Sequence, residues 1–341
     1  MRLLRDRYAR RLLVAMVALA GIDPFVSKVL ERAEPLRYES STDYRFENSD
    51  LFALGPLVAY LREHPRGVRP RTVFLGDSQL WGYGVQQTET VAAQFQRLTP
   101  EEQVLNLAIN GSGMGTCYLI SKAIIDSVDT IYVLESGQGS RPMLPELIPV
   151  AAEDIARFRL NRPGAVESWL RARMEWWRLY RDSYRLQSAL FGIPTRLYVH
   201  RHKGDFVRAA TGMSREVPAP PMQITAGPVA SGVEMAVDRA PRMPNASRAK
   251  ELAEGYKLQW DLASFVRAHR RRAVFIVLVA DSREAKPDLA DLNTYFDPYV
   301  LFIKVWVPAA LKIDPIHFSP TGARALAHAL RSIHAVPAAD R

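Results

Sequence analysis

The chain of 341 residues alternates short apolar runs with segments of helical periodicity. Five apolar runs have the length of β-strands, at positions 71–76, 103–108, 130–135, 273–280 and 299–307. The first four are almost continuously apolar, which is typical of strands covered on both faces. Helical patterns separate these runs. The alternation predicts an α/β protein, a three-layer α/β/α sandwich built on a parallel five-stranded sheet.

The alternation breaks at residues 140–250, between the third and fourth strands. A long helical pattern rich in Trp and Arg is followed by a stretch rich in Pro and Gly. We interpret this segment as a helical and irregular insertion on the carboxyl side of the sheet. We expect Trp169, Trp176 and Trp177 to pack on the core, with a lid or acceptor-binding surface as the alternative. The arginines at positions 171, 173, 178, 181 and 185 indicate a solvated face, with a surface for a polyanion or a membrane as the alternative.

Residues 1–30 have the pattern of a signal peptide or an N-terminal membrane anchor. Five arginines precede an apolar run at positions 12–20, and Ala18-Leu19-Ala20 fits a signal-peptidase site. The run is shorter than the roughly 20 residues that span a bilayer, and Asp23 interrupts it. We expect a periplasmic or secreted protein, or one held at the inner membrane and facing the periplasm, and cleavage stays open. Residues 31–70 are then an extension and residues 71–335 the main domain.

Charge and cysteine content narrow the class of partner. The formal net charge is +9, of which residues 1–20 contribute +4, so the remainder carries +5. That excess suits an anionic glycan or lipid headgroups and falls short of a nucleic-acid-binding signature. The single cysteine, Cys117, excludes an internal disulfide and a cysteine-based metal cage. The His-Arg-His run at 200–202 lacks a neighbouring carboxylate, so we expect no metal site and no cofactor.

A serine follows the first predicted strand directly, in the stretch TVFLGDSQLWGYGV at 72–85. The carboxyl ends of parallel strands gather ligand sites, so Ser78 is a candidate nucleophile. A serine needs a neighbouring base to accept its proton. The stretch is not the G-x-S-x-G elbow of α/β-hydrolases, because no glycine stands two places after Ser78.

The matching base stands near the other end of the chain. Asp314 precedes His317 by three residues, just before a helix that begins with Ser319 as N-cap and Pro320 as first residue. A carboxylate at this spacing can accept the Nδ1–H of the histidine and leave Nε2 facing a serine. Between the two ends, the glycines of VLNLAINGSGMGT at 104–116 can point backbone N–H groups at a developing oxyanion.

Together these motifs resemble the SGNH hydrolases, also called the GDSL family. FLGDSQLWGYGV is similar to the first block of that family, NLAINGSG to the second and DPIHFSPTGARALA to the last. The resemblance covers residues 71–139 and 272–330. It implies a flavodoxin-like fold, a triad of Ser78, His317 and Asp314, and an oxyanion donor at Gly111. The third block departs from the family, because Gln138 stands near the position of the usual oxyanion asparagine.

The resemblance implies an exported serine esterase or O-acyltransferase that forms an acyl-enzyme. The expected export of the protein and its basic charge favour O-acyl groups of a cell-envelope or extracellular polysaccharide as substrate. We expect no nucleic acid as partner. The main alternative is a non-catalytic SGNH-like envelope protein that binds glycan or scaffolds polysaccharide machinery. A lipase or thioesterase would require an apolar cleft near Trp81 and Tyr83, which we expect to be wall or core residues.

Overall fold

The structure is a computed structural model that describes residues 7–38, 51–67, 69–134, 150–160, 166, 169, 173–174, 176–191, 232–238, 243–279 and 289–334. Six strands form one sheet at its centre. They are β1 (Arg71–Gly76), β2 (Gln103–Asn106), β3 (Thr130–Leu134), β4 (Glu234–Ala236), β5 (Arg272–Val279) and β6 (Val300–Trp306). Their order is β2-β1-β3-β5-β6-β4, and all neighbours are parallel except β6 and β4.

Each of the five apolar runs forms a strand, but the prediction of a parallel five-stranded sheet is wrong. The sixth strand, β4, comes from the segment at 140–250 and pairs antiparallel with the end of β6. Only three residues long, it reads Glu-Met-Ala, with its two outer residues exposed. Such a short edge strand carries no apolar run and stands in a stretch rich in Pro and Gly, so its sequence pattern does not reveal it.

Helices cover both faces of the sheet, as the predicted α/β sandwich requires. The described helices are α1 (Arg7–Tyr38), α2 (Leu51–Glu63), α3 (Ser78–Trp81), α4 (Val91–Leu98), α5 (Met114–Ile124), α6 (Ala152–Phe158), α7 (Arg178–Arg181), α8 (Ser183–Phe191), α9 (Ala246–Gly255), α10 (Lys257–Ala268), α11 (Ala290–Phe296) and α12 (Pro320–His334). Helices α2, α5, α10 and α11 share one buried apolar cluster with the sheet. Helices α3, α4 and α12 share the other.

Aromatic side chains fill the core beside α4. The ring of Phe74 on β1 stacks on Tyr132 of β3, with centroids 4.8 Å apart, and meets Phe95 of α4 edge-on. All three residues are buried, and full burial of a side chain of this size contributes about 1.5–3 kcal/mol. This packing fixes α4 and the neighbouring strands, and with them the carboxyl edge of the sheet where the candidate site lies.

Helix α1 has two parts with different surroundings. Residues 13–36 include the one stretch of the described chain that is long and apolar enough to cross a membrane. The later part of α1 packs on the domain, because Val26 and Leu30 are buried in a cluster with Ala189 of α8. The boundary that we placed at residue 30 therefore falls inside a continuous helix.

A network of charges fastens α1 to the domain. The guanidinium of Arg185 on α8 binds both carboxylate oxygens of Glu34 on α1, at 2.9 and 2.8 Å. The same group binds both oxygens of Glu63 on α2 at 2.6 Å. Further along α1, the hydroxyl of Tyr38 donates to Ser188 at 2.8 Å. Bidentate arginine contacts fix orientation as well as distance, so α1, α2 and α8 form one unit.

The expected packing of the insertion tryptophans is wrong for two of the three. Trp169 is 58% exposed and Trp176 is 76% exposed, whereas Trp177 is half-buried and stacks on Tyr180. The helical pattern across 165–191 predicts a single helix, but a turn at Trp176 precedes α7 and α8. Helices α7 and α8 pack on α1, and Trp169 and Trp176 therefore lie outside the core.

Candidate active site

Ser78 lies at the first residue of α3, immediately beyond β1. Asp77 caps this turn, because its Oδ1 accepts the N–H of Gln79 at 3.0 Å. Gly76, the last residue of β1, lies so close to β3 that a Cβ there would stand 2.0 Å from the carbonyl oxygen of Leu134. Only glycine fits this approach. The strand end and the cap together hold Ser78 at the carboxyl edge of the sheet.

The loop before α12 holds Asp314 and His317 in a fixed relation. Oδ1 of Asp314 accepts the backbone N–H of Ile316 at 2.8 Å and that of His317 at 2.7 Å. The predicted N-cap is present, since Oγ of Ser319 accepts the N–H of Gly322 at 3.1 Å. The loop is therefore fixed at both ends by hydrogen bonds from its own short polar side chains.

The structure brings Ser78, His317 and Asp314 into one line of hydrogen bonds. Nδ1 of His317 lies 2.7 Å from Oδ2 of Asp314, and Nε2 lies 2.9 Å from Oγ of Ser78. An ionised carboxylate only accepts, so Nδ1 carries the proton and donates it to Asp314. In the neutral ring, Nε2 is then the acceptor for the hydroxyl of Ser78. This arrangement lets the imidazole take the serine proton when Oγ attacks an electrophile.

Asp314 is held ionised by its contacts. The hydrogen bond from the His317 ring is the largest cause, and the backbone N–H of the same residue is the next. Together they lower the pKa of Asp314 from 3.8 to about 2. The carboxylate therefore stays charged at every pH where the histidine ring acts as a base.

The loop after β2 brings Gly111 beside the serine turn. The N–H of Ile109 and the hydroxyl of Ser112 both donate to the carbonyl of Gly76, at 2.9 and 2.8 Å. Gly111 lies between them with φ of 76°, a left-handed conformation that favours glycine. In the part of the chain that the structure describes, the N–H groups of Gly111 and Ser78 have no hydrogen-bond acceptor. Both are available to a negative oxygen.

Asn106, at the end of β2, is a buried contact that our reading of the sequence missed. Its Nδ2 donates to the carbonyl of Leu80 at 3.1 Å, and its Oδ1 accepts the N–H of Ala108 at 3.2 Å. These bonds tie the glycine loop to α3. A polar residue inside the otherwise apolar run at 103–108 was the available signal. Gln138, the expected third oxyanion donor, lies outside the described residues.

Two more side chains border the site. The ring of Tyr83 lies 4.5 Å from the ring of His317 and is 48% exposed, so it forms a wall of the site, whereas Trp81 is buried in the core. The amide of Gln79 donates to the carbonyl of Ile316 at 3.2 Å and joins the serine turn to the histidine loop. No local pattern indicates the Gln79 contact, because Ile316 is distant along the chain.

A cleft of 620 Å³ is lined by Asp314 and residues near it, and neither Ser78 nor His317 is among its lining residues. Its lining includes an indole ring from Trp306 and an ammonium group from Lys312. A cleft of this volume is large enough for a small organic group or a sugar unit. It gives the site a polar and partly aromatic neighbouring surface.

Comparisons of the chain with protein-family models, with curated proteins and with solved structures return no match.

Proposed function

We propose that the protein is an exported serine esterase or O-acyltransferase of the SGNH type. The observation that carries this proposal is the continuous line from Ser78 Oγ through the His317 ring to the Asp314 carboxylate, with distances of 2.9 and 2.7 Å. A binding protein has no need of a serine hydroxyl placed on the free nitrogen of an imidazole whose tautomer is set by a carboxylate.

In the proposed reaction, Oγ of Ser78 forms a bond to an ester carbonyl carbon while Nε2 of His317 takes its proton. The N–H groups of Ser78 and Gly111 stabilise the negative charge on the carbonyl oxygen. The carbon–oxygen bond to the leaving alcohol then breaks, and the alcohol receives the proton from Nε2. Water or a sugar hydroxyl next gives its proton to Nε2 and attacks the acyl-enzyme. Oγ leaves and recovers the proton, which completes hydrolysis or transfer.

Fold and motif order support the same assignment. Counted along the chain, the five parallel strands stand in the order second, first, third, fourth, fifth, which is the order of flavodoxin-like sheets. In such sheets ligands bind where the chain direction reverses, between the first and third strands, and Ser78 follows the first. The motifs that resemble SGNH blocks stand at the carboxyl ends of β1 and β2 and at the start of α12.

For the substrate we propose O-acyl groups of a cell-envelope or extracellular polysaccharide. The half-exposed ring of Tyr83 beside His317 suits the C–H face of a sugar. Trp306 and Lys312 in the adjacent cleft add an aromatic and a positive group, which suit an anionic sugar. The apolar N-terminal helix fits a protein exported to the periplasm or held at the inner membrane.

The test is the intact mass of the purified protein after exposure to a fluorophosphonate. Such a reagent reacts with a serine only when a base activates it. We expect one adduct on the wild type and none on Ser78→Ala. The matched control is Ser332→Ala, which removes an exposed serine on α12 and should leave the adduct unchanged.

No adduct on a folded wild-type protein would refute the enzymatic proposal and favour a glycan-binding protein of the same fold. An adduct that persists in Ser78→Ala would place the activated serine elsewhere. With the adduct established, a p-nitrophenyl acetate assay with and without added polysaccharide separates hydrolysis from transfer, because a true acceptor increases release of p-nitrophenol and gains the acetyl group.

A further inference from the structure

The exposed apolar part of α1 is too short to cross a bilayer by itself. Every described side chain from Arg10 to Ile22 is exposed, and contact with the domain begins at Asp23, whose Oδ1 accepts the N–H of Leu179 at 2.6 Å. At 1.5 Å per residue, residues 12–22 extend about 16 Å, roughly half of a 30 Å hydrocarbon core. A spanning α1 must therefore carry part of the docked domain down to the membrane.

Basic residues mark two levels along α1. Arg10 and Arg11 lie before the apolar part, and Lys28 lies one turn beyond Phe25, whose ring is 5.8 Å from its ammonium group. From residue 11 to residue 28 the helix rises about 26 Å, close to the thickness of the hydrocarbon core. Arg178 of α7 stands at the second level as well, because it donates to Ser27 at 3.2 Å.

The residues before and within α7 present an aromatic and basic stripe, which we define as Val166, Trp169, Arg173, Trp176 and Tyr180. The first three are helical and follow at intervals of three and four residues, the spacing of one helix face. All four apolar members are exposed, from 46% for Tyr180 to 76% for Trp176. The guanidinium of Arg173 lies 5.6 Å from the Trp169 ring. Apart from the stack of Tyr180 on Trp177, the described fold leaves these side chains exposed.

We propose that this stripe is a membrane-binding surface that rests among the headgroups of the outer leaflet, beside α1. Arg178, two residues before Tyr180, donates to Ser27 beside Lys28, so this end of the stripe lies near the second basic level of α1. Tryptophan and tyrosine concentrate at the membrane–water boundary, where their rings meet both acyl chains and headgroups. Arginine beside them attracts anionic phospholipid.

A bilayer fits the stripe better than the protein core or a second copy of the chain. Only 11% of the apolar stretch of α1 is buried in the fold, and α7, where the stripe ends, lies against the same helix. The ion pairs of Arg185 with Glu34 and Glu63 fasten α8 to α1 and α2 and so fix the position of α7 beside α1. The membrane would thus hold the whole domain in one orientation through two surfaces.

The test places an environment-sensitive NBD fluorophore on the full chain in phospholipid nanodiscs. Trp169→Cys and Trp176→Cys carry the label at exposed positions of the stripe, and His328→Cys carries it on α12, in the helix layer on the other face of the sheet. The native Cys117 is buried, so the unmutated chain is the labelling control. Nanodiscs contain phosphatidylcholine and phosphatidylglycerol, with or without a doxyl quencher near the headgroup, and intact mass verifies that α1 is complete.

We expect the quencher to reduce emission at positions 169 and 176 by about twofold or more and to leave position 328 unchanged, as for side chains at the lipid boundary. Equal responses at all three positions would overturn the proposal. A spectral shift at 169 and 176 that follows protein concentration and not the quencher would also overturn it, because the stripe would then bind a second copy. Two labelled positions guard against one variant that fails to fold.

Discussion

Replacing Asp314 with asparagine separates the two tasks of this carboxylate. Oδ1 accepts two backbone N–H groups, at 2.8 and 2.7 Å, and Oδ2 accepts the His317 ring at 2.7 Å. The amide oxygen of Asp314→Asn must take the first place, since both backbone groups are donors. Its NH₂ then faces Nδ1, and His317 must accept there and carry its proton on Nε2. In that tautomer the ring cannot take the proton of Ser78.

The expected loss in kcat/KM for an acetyl ester is about 10³–10⁴-fold, or ~4–5.5 kcal/mol at ~1.36 kcal/mol per tenfold. We expect the lower end, because 38% of the Asp314 side chain is exposed and water can take over part of its role. The midpoint of thermal unfolding should hardly change, since the loop keeps both backbone bonds. Asp314→Ala is the comparison, because it removes the loop bonds too and should cost about 1 kcal/mol of stability.

The assay is p-nitrophenyl acetate hydrolysis over a range of pH, with circular dichroism to follow unfolding. An Asp314→Asn variant that retains more than a tenth of the activity would refute the reasoning, since the tautomer would not govern the reaction. A large fall in the unfolding temperature would refute it as well, because the effect would then be structural.

Three further changes test other parts of the structure. In Gly76→Ala the new Cβ meets the carbonyl oxygen of Leu134, so we expect a loss of ~1–3 kcal/mol in urea unfolding, and an unchanged midpoint would contradict the close approach. Burial alone raises the pKa of Glu102, but hydrogen bonds from a histidine and a threonine outweigh burial and hold the pKa below 4.5. The ionised carboxylate therefore stabilises the fold above pH 4.5, and this contribution is lost as the pH falls through the folded pKa. At pH 7 the free energy of unfolding of Glu102→Gln, measured in urea, should therefore be ~1–3 kcal/mol below that of the wild type. This difference should narrow below pH 4.5, and a difference that stays constant with pH would argue against ionisation of Glu102. Tyr83→Ala should raise KM for an acylated glycan by up to about tenfold while p-nitrophenyl acetate changes less, and Tyr83→Phe should match wild type; equal losses on both substrates would mean that the ring serves His317 instead.

The triad was predictable because each of its parts is encoded locally. A run of apolar residues ending in Gly-Asp-Ser fixes where Ser78 leaves the sheet, and Asp314 stands three positions before His317 on a loop capped by Ser319. What joins these parts is the order of the strands, which the resemblance to the SGNH family implied through its flavodoxin-like fold. The hydrogen bond between Ser78 and His317 then follows from the fold.

Features that depend on distant or weakly patterned residues were not predictable. Gln79 binds the carbonyl of Ile316 across the fold, and nothing near either residue indicates the pair. Strand β4 exists because β6 offers an open edge, not because its own three residues favour a strand. The exposure of Trp176 depends on where α7 turns to meet α1, and an amphipathic pattern cannot tell the protein core from a membrane.

The short strand β4 has a consequence for how the chain assembles. It covers the last three residues of β6, Lys304 to Trp306, yet it precedes both β5 and β6 in the chain. Its partner is therefore the last strand to be made, and until β4 returns, the outer side of β6 offers unpaired N–H and C=O groups to any other extended chain. The ion pair between Lys304 and Asp238, two residues after β4, stabilises this late pairing of β4 with β6. Whether a newly made copy reaches its native form or pairs with its neighbours thus depends on how quickly β4 pairs with the edge of β6.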